Sequence, residues 1–281
     1  MATKKNGTES DVVVSGGGEV ALYDAETMAM IVGDDGHEGL ESEDFGTPFL
    51  RVLQKTSPEV DRGGTSFIEG AEPGMFLNTG NRKIYETVSF LPVSCQKAWI
   101  EWIPYESGGG LVRQYDRGER PPQSAGQIVV NLANGNEVLL THNHFGFAID
   151  EDGNADEVVF TCSRTQFTPS KKLNAALKQS KMGGKPVKRY ANLVTLGSER
   201  RENESGSWYR FTWDNVRILD FNNEGHRDLF AAARLMHQMV SAGELGISDA
   251  ALHAAETSAA NESITTPTEV VEPTEESSIP F

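Results

Sequence analysis

The stretch QIVVNLANGNEVLLTHNHFGFAID, Gln127–Asp150, decides how the rest of the chain is read. Two runs rich in Val, Leu, Phe and Thr flank Asn134-Gly135-Asn136. Asn and Gly reach positive φ at low cost, so this triplet between two alternating apolar runs predicts an antiparallel hairpin. Short runs of the same texture, split by turn residues, extend to both sides. Upstream are TPFLRVLQ (47–54), then 74–106, long enough for two or three strands, then GGGLVRQYD (108–116). Downstream are EVVFTCSR (157–164) and residues 188–219, which read as two strands joined by a polar loop.

Helical spacing interrupts this pattern twice. In 168–182, Leu173, Ala176 and Leu177 recur on one face, and Gly183-Gly184 is expected to end that helix. In 226–243, Leu229, Phe230, Ala233, Met236, Met239 and Val240 form an apolar stripe, with Gly243 as the C-terminal cap. Many short strands with one inserted and one closing helix predict a mainly β fold: an OB-fold-like barrel with insertions. The expected organisation is a disordered acidic segment over 1–45, a β-rich nucleic-acid-binding domain over 46–242 and a disordered acidic tail over 243–281.

Charge supports that division. The chain of 281 residues carries −16 and has a mean hydropathy of −0.41. Residues 1–45 hold 11 acids against 2 lysines and residues 243–281 hold 8 acids and no base, leaving 46–242 at +1. Within it, residues 164–217 hold 12 Lys/Arg against 4 Asp/Glu. Net acidity alone would argue against a nucleic-acid partner, but it belongs to the flanks. No apolar run reaches the ~18–20 residues of a membrane span, and the N-terminus has no long apolar segment of a secretory signal. Cys95 and Cys162 sit in apolar runs and read as buried, reduced thiols of a cytoplasmic protein.

The basic segment is interleaved with aromatics. Lys171, Lys172, Lys178, Lys181, Lys185, Lys188, Arg189, Arg200 and Arg201 accumulate around Tyr190, Trp208, Tyr209, Phe211 and Trp213. Single-stranded nucleic acid calls for this combination: cations neutralise phosphates and release counterions, and flat side chains stack on unpaired bases. Strand alternation sets Trp208 and Arg210 opposite Tyr209, Phe211 and Trp213, and the Arg210 face is assigned to solvent. A second candidate surface is Trp99, Trp102, Tyr105, Arg113 and Tyr115, around a glycine loop.

Catalytic motifs are weak, and no enzyme, cofactor or metal site is expected. His142 and His144 face the same side of a strand, but no cysteine or carboxylate pair lies near them at ligand spacing. DEDGN at 150–154 lacks the distal Glu of a calcium loop and reads as a turn. SGGGEV and ESGGGL lack the lysine and helix of a phosphate-binding loop.

The chain ends Glu275-Glu276-Ser277-Ser278-Ile279-Pro280-Phe281. This resembles the acidic tip, ending Ile-Pro-Phe, of bacterial single-stranded-DNA-binding proteins. Residues 38–105, with GLESEDFGTPFLRVLQ and VSFLPVSCQKAWIEWIP, also resemble a phage-encoded family described in part as single-stranded-DNA-binding. The resemblance implies a sequence-tolerant protein that protects single strands during phage replication or recombination in the bacterial cytoplasm. Its tip, Glu275, Glu276, Ile279, Pro280 and Phe281, would recruit replication and recombination proteins; Ser277 and Ser278 stand where acids are usual, which weakens that attraction. A single-strand annealing protein and a phage assembly or decoration protein are the competing expectations, and a homo-oligomer is compatible with all three.

Overall fold

The computed structural model describes residues 48–247, apart from 105–106, 108–109, 117, 122–125 and 205. The expected disordered segment, the tip residues and Tyr105 therefore lie outside the described residues. Eight strands form one continuous sheet: β1 (Phe49–Val52), β2 (Phe76–Asn78), β3 (Ile84–Tyr85), β4 (Val88–Trp102), β7 (Glu137–Ile149), β8 (Ala155–Cys162), β11 (Asn192–Asn203) and β12 (Gly206–Ile218). Their order is β12-β11-β4-β7-β8-β1-β2-β3; β5 (Leu111–Gln114) adds to β4 and β6 (Val129–Asn131) to β7. β1 and β8 pair in parallel, and the other pairs in this sheet are antiparallel.

The hairpin expected from Gln127–Asp150 forms as β6–β7, with Asn131 opposite Glu137. β7 then continues as the central strand, flanked by β4 and β8 along most of its length. The sheet curls into a half-barrel rather than a closed barrel. Two glutamines reach the outer edge of β12, Gln54 from just after β1 and Gln166 from the inserted helix. Gln54 donates to Tyr209 O at 2.9 Å and accepts from Tyr209 N at 2.7 Å. Gln166 donates to the same carbonyl at 3.0 Å and accepts from Phe211 N at 2.9 Å. Side-chain amides thus occupy backbone groups of β12 that another strand would otherwise pair, a protection that edge strands need.

Each face of the sheet carries one helix. Helix α1 (Arg164–Gln179) buries Phe167, Leu173 and Leu177, with Leu173 and Leu177 in the cluster around Phe90, Phe160 and Phe211. Helix α2 (Glu224–Ala242) covers the opposite face with Ala233, Met236 and Val240, against Leu91, Phe145 and Phe147. The Asn223 side chain accepts from His226 N at its start, and Gly243 caps its end. The chain beyond the cap still packs: Leu245 and Ile247 lie on the α2 side of the core, so the folded unit runs past the expected boundary at 242.

The inserted helix ends earlier than its sequence suggests. Ser180 closes it, and Gly183-Gly184 instead turns a small hairpin between β9 (Lys181–Met182) and β10 (Lys185–Pro186). Both glycines have positive φ, 56° and 79°, as a tight two-residue hairpin turn requires. No helix among the described residues is long and apolar enough to cross a membrane.

Candidate nucleic-acid interface

The structure divides the basic segment in two. Lys171, Lys172, Lys178, Lys181, Lys185 and Lys188 line α1, the β9–β10 hairpin and the chain after it, and all six are exposed. From residue 158 to residue 198 the sequence contains no Asp or Glu. None of these lysines forms an ion pair with an acid among the described residues. Arg200, Arg201 and Arg210 sit elsewhere, towards the tip of the β11–β12 hairpin, and each is already ion-paired. Arg200 pairs with Glu202 at 2.7 Å, and Glu199 takes both Arg201 at 2.6 Å and Arg210 at 2.7 Å.

Several of the sequence-selected aromatics are interior. Trp99 and Tyr115 pack with Val130, Val138, Leu140 and Phe167, and Tyr190 packs against Phe230 and His237. These three are buried in the apolar core and present no face to a base. Trp102 is half-buried against Ala98, Ile100 and Leu111. Arg113 is exposed and stacks over the Tyr115 ring at 3.9 Å, near Glu101 and Glu119. On β12 the faces are as alternation assigns them: Phe211 is fully buried, Trp213 packs on the core, and Trp208 and Arg210 are half-exposed. Among the described residues, Trp208 and Trp102 are therefore the sequence-selected tryptophans with an exposed face.

The sequence reading missed a partly buried polar cluster beneath α1. Cys95 lies opposite His144, and His142 opposite Cys162, in the registers of β7 with its two neighbours. A β-bulge between Pro92 and Ser94 reverses the alternation of β4, which brings Cys95 to the same face as Phe90. Arg189, in a 3₁₀ turn over Arg189–Ala191, donates to His144 Nδ1 at 2.7 Å and to Asn174 Oδ1 at 2.7 Å. A guanidinium can only donate, so His144 accepts at Nδ1 and carries its proton on Nε2. That N–H donates to Ser170 Oγ at 2.7 Å, and the Ser170 hydroxyl is then free to donate to His142 Nδ1 at 2.8 Å.

Cys95, His142 and His144 bring three ligand atoms within 4.8 Å of one another, a trio able to hold a transition metal. The sequence reading lacked a cysteine at that spacing; the register of β4 on β7 supplies it. As the cluster stands, its hydrogen bonds oppose a cation. Both ring nitrogens of His144 are engaged, and the Arg189 guanidinium lies against the imidazole.

Burial, reinforced by Lys97, Arg189 and Lys171, lowers the pKa of His142 to about 4. Burial, with Arg189 and His142, holds His144 well below the ordinary value too. Both histidines are neutral when folded and protonate near 6.5 when unfolded. The unfolded chain therefore binds more protons below pH 6.5, and stability falls as pH drops through that window. Urea unfolding at pH 7 and pH 5 should show lower stability at pH 5, with a slope of up to about 1.4 kcal/mol per pH unit per histidine. His142→Gln should flatten the dependence, and an unchanged slope would remove His142 as its source.

Among known proteins, residues 16–246 match the family model described as Pam3 phage gp34-like protein. No curated protein and no solved structure matches the chain. The match covers most of the sequence, and the chain belongs to this phage-encoded family.

Proposed function

We propose that this Pam3 phage gp34-like protein is a non-enzymatic, sequence-tolerant single-stranded-DNA-binding protein. The observation that carries the reading is the acid-free segment 158–198, whose exposed lysines sit on one helix, one hairpin and one turn without acidic partners among the described residues. Like charges held together on a fold repel one another, and phosphates relieve that repulsion while releasing their own counterions. A strand would run along α1 and the β9–β10 hairpin, with Trp208 or Trp102 offering stacking contact at about 1–3 kcal/mol per base. The curled sheet would serve as an OB-type barrel does, presenting one side to the strand.

In this reading the protein acts on single-stranded intermediates of phage replication or recombination in the bacterial cytoplasm. Glu275, Glu276, Ile279, Pro280 and Phe281 would form a partner-binding tip: the Phe281 ring fills an apolar pocket, and its carboxylate meets a cation at the rim. The test is anisotropy of a labelled oligothymidylate at several salt concentrations. A log K against log salt slope of about −3 to −5 is expected if five to seven phosphates are contacted at roughly −0.7 each. No binding at low salt, or a flat line, would refute the reading.

A further inference from the structure

The sheet has a gap beside the basic segment. β4 pairs with β11 at Val88–Phe90 and with β5 at Ile100–Trp102. Between these pairings its outer edge has no strand partner among the described residues, and the 3₁₀ turn carrying Arg189 packs on β4. At this gap lies a pocket of about 380 Å³, open to solvent and walled by Ser94, Lys188, Arg189, Tyr190 and His237.

The pocket wall holds unbalanced polarity. Arg189 is half-buried, yet its partners are the neutral side chains of Asn174 and His144. No carboxylate among the described residues pairs with it, and its Nε is buried without a partner. His237 Nδ1, also in the lining, is likewise buried and unpartnered. Lys188 adds a second cation at the rim, with Nζ 3.1 Å from the Tyr190 hydroxyl. A buried charge without a counter-charge is costly unless something supplies one. The chain from His142 through Ser170 and His144 fixes the guanidinium in place, and its unpartnered Nε–H, with the Lys188 ammonium at the rim, suits the oxygens of an oxyanion.

We propose that this pocket is a phosphate subsite, in which Arg189 and Lys188 hold one backbone phosphate of the bound single strand. The proposal rests on the nucleic-acid reading above for the source of the phosphate. It assigns Arg189 a role apart from the exposed lysines: they track the strand electrostatically, whereas Arg189 grips one phosphate in a defined place.

Two measurements on the full-length protein test it, with Arg189→Gln and Lys188→Glu as variants. Lys188 is exposed, so its variant keeps the proposal testable even if loss of Arg189 disturbs folding. The first is thermal unfolding with inorganic phosphate against chloride at matched ionic strength. Wild type should be stabilised by phosphate, and both variants should lose the effect. The second is oligothymidylate binding against salt. Each variant should bind about fivefold more weakly near 0.1 M salt, with the slope reduced by at least about 0.7.

If both variants bind the strand with unchanged affinity and slope, and phosphate stabilises none of the proteins, the subsite is overturned while the nucleic-acid reading stands. Variant-sensitive phosphate stabilisation without any strand binding would overturn the strand as the source and leave a site for free phosphate. A phosphate response that emerges only after deletion of Phe281 would assign the pocket to that residue of the same chain, and would also overturn the proposal.

Discussion

Gly146→Val is expected to destabilise the fold by about 3 kcal/mol or more, the upper range for forcing volume into a packed core. A Cβ at this position would lie 2.3 Å from the Leu91 carbonyl oxygen and 2.7 Å from the Phe90 ring. The first contact is to backbone in the adjacent strand, so no rotamer change relieves it, and β4 would have to move off β7. The damage should spread to the polar cluster. Gly146 faces Pro92 immediately before the bulge that turns Cys95 towards His144. Thermal unfolding should show a midpoint lower by roughly 10 °C, at about 2–4 °C per kcal/mol for a domain of this size. Gly246→Ala, where the added carbon meets nothing within 4 Å, is the control and should change little. Equal midpoints for the two variants would mean that the β4–β7 approach is not tightly set.

What could be read from the sequence followed local periodicity. The Asn134-Gly135-Asn136 hairpin, the α2 stripe with its Gly243 cap and the division of faces on β12 all emerge from spacing within one element. The candidate interface was legible only in part, because charge survives as a signal in one dimension and burial does not. Seven cations between Lys171 and Arg189 without an acid can be counted directly. That Trp99, Tyr115 and Tyr190 are core follows only from which strands and helices pack over them. Aromatics in β-rich proteins serve the core and the binding surface with the same residues, so an aromatic beside a lysine does not by itself choose between them.

The Cys95–His142–His144–Arg189 cluster was hidden for a different reason. Its members come from β4, β7 and a turn that lies 45 residues beyond His144 and 94 beyond Cys95, and only the fold makes them adjacent: Cys95 meets His144 through the β4–β7 register. Simple alternation from Phe90 would put Cys95 on the opposite face, and the bulge reverses it. The His-x-His spacing over His142 and His144 was the one available clue, and it showed a shared face without showing what faced it. Gly183-Gly184 misled similarly: paired glycines stop helices and turn hairpins with equal ease, and only the pairing of Lys185 with Met182 decides between them.

Replacing Lys178, Lys181, Lys185 and Lys188 together with Gln is expected to weaken oligothymidylate binding on the order of a hundredfold near 0.1 M salt, with a slope shallower by about 2–3 units. The estimate assumes that each lysine neutralises one phosphate, at about 0.7 in slope for a single strand. Stability should hold within about 0.5 kcal/mol, because all four side chains are exposed and none gives up an ion pair among the described residues. Arg200→Gln with Arg201→Gln is the informative comparison. Those guanidiniums are bound to Glu202 and Glu199, so a phosphate would have to displace a carboxylate to reach them. Their removal should change the slope by less per charge than removal of the lysines. A larger loss from the arginine pair would move the strand's path to the β11–β12 tip, beside Trp208, and away from the acid-free segment. Equal, small losses from both sets would show that the contacts are spread over the surface, with no groove at α1.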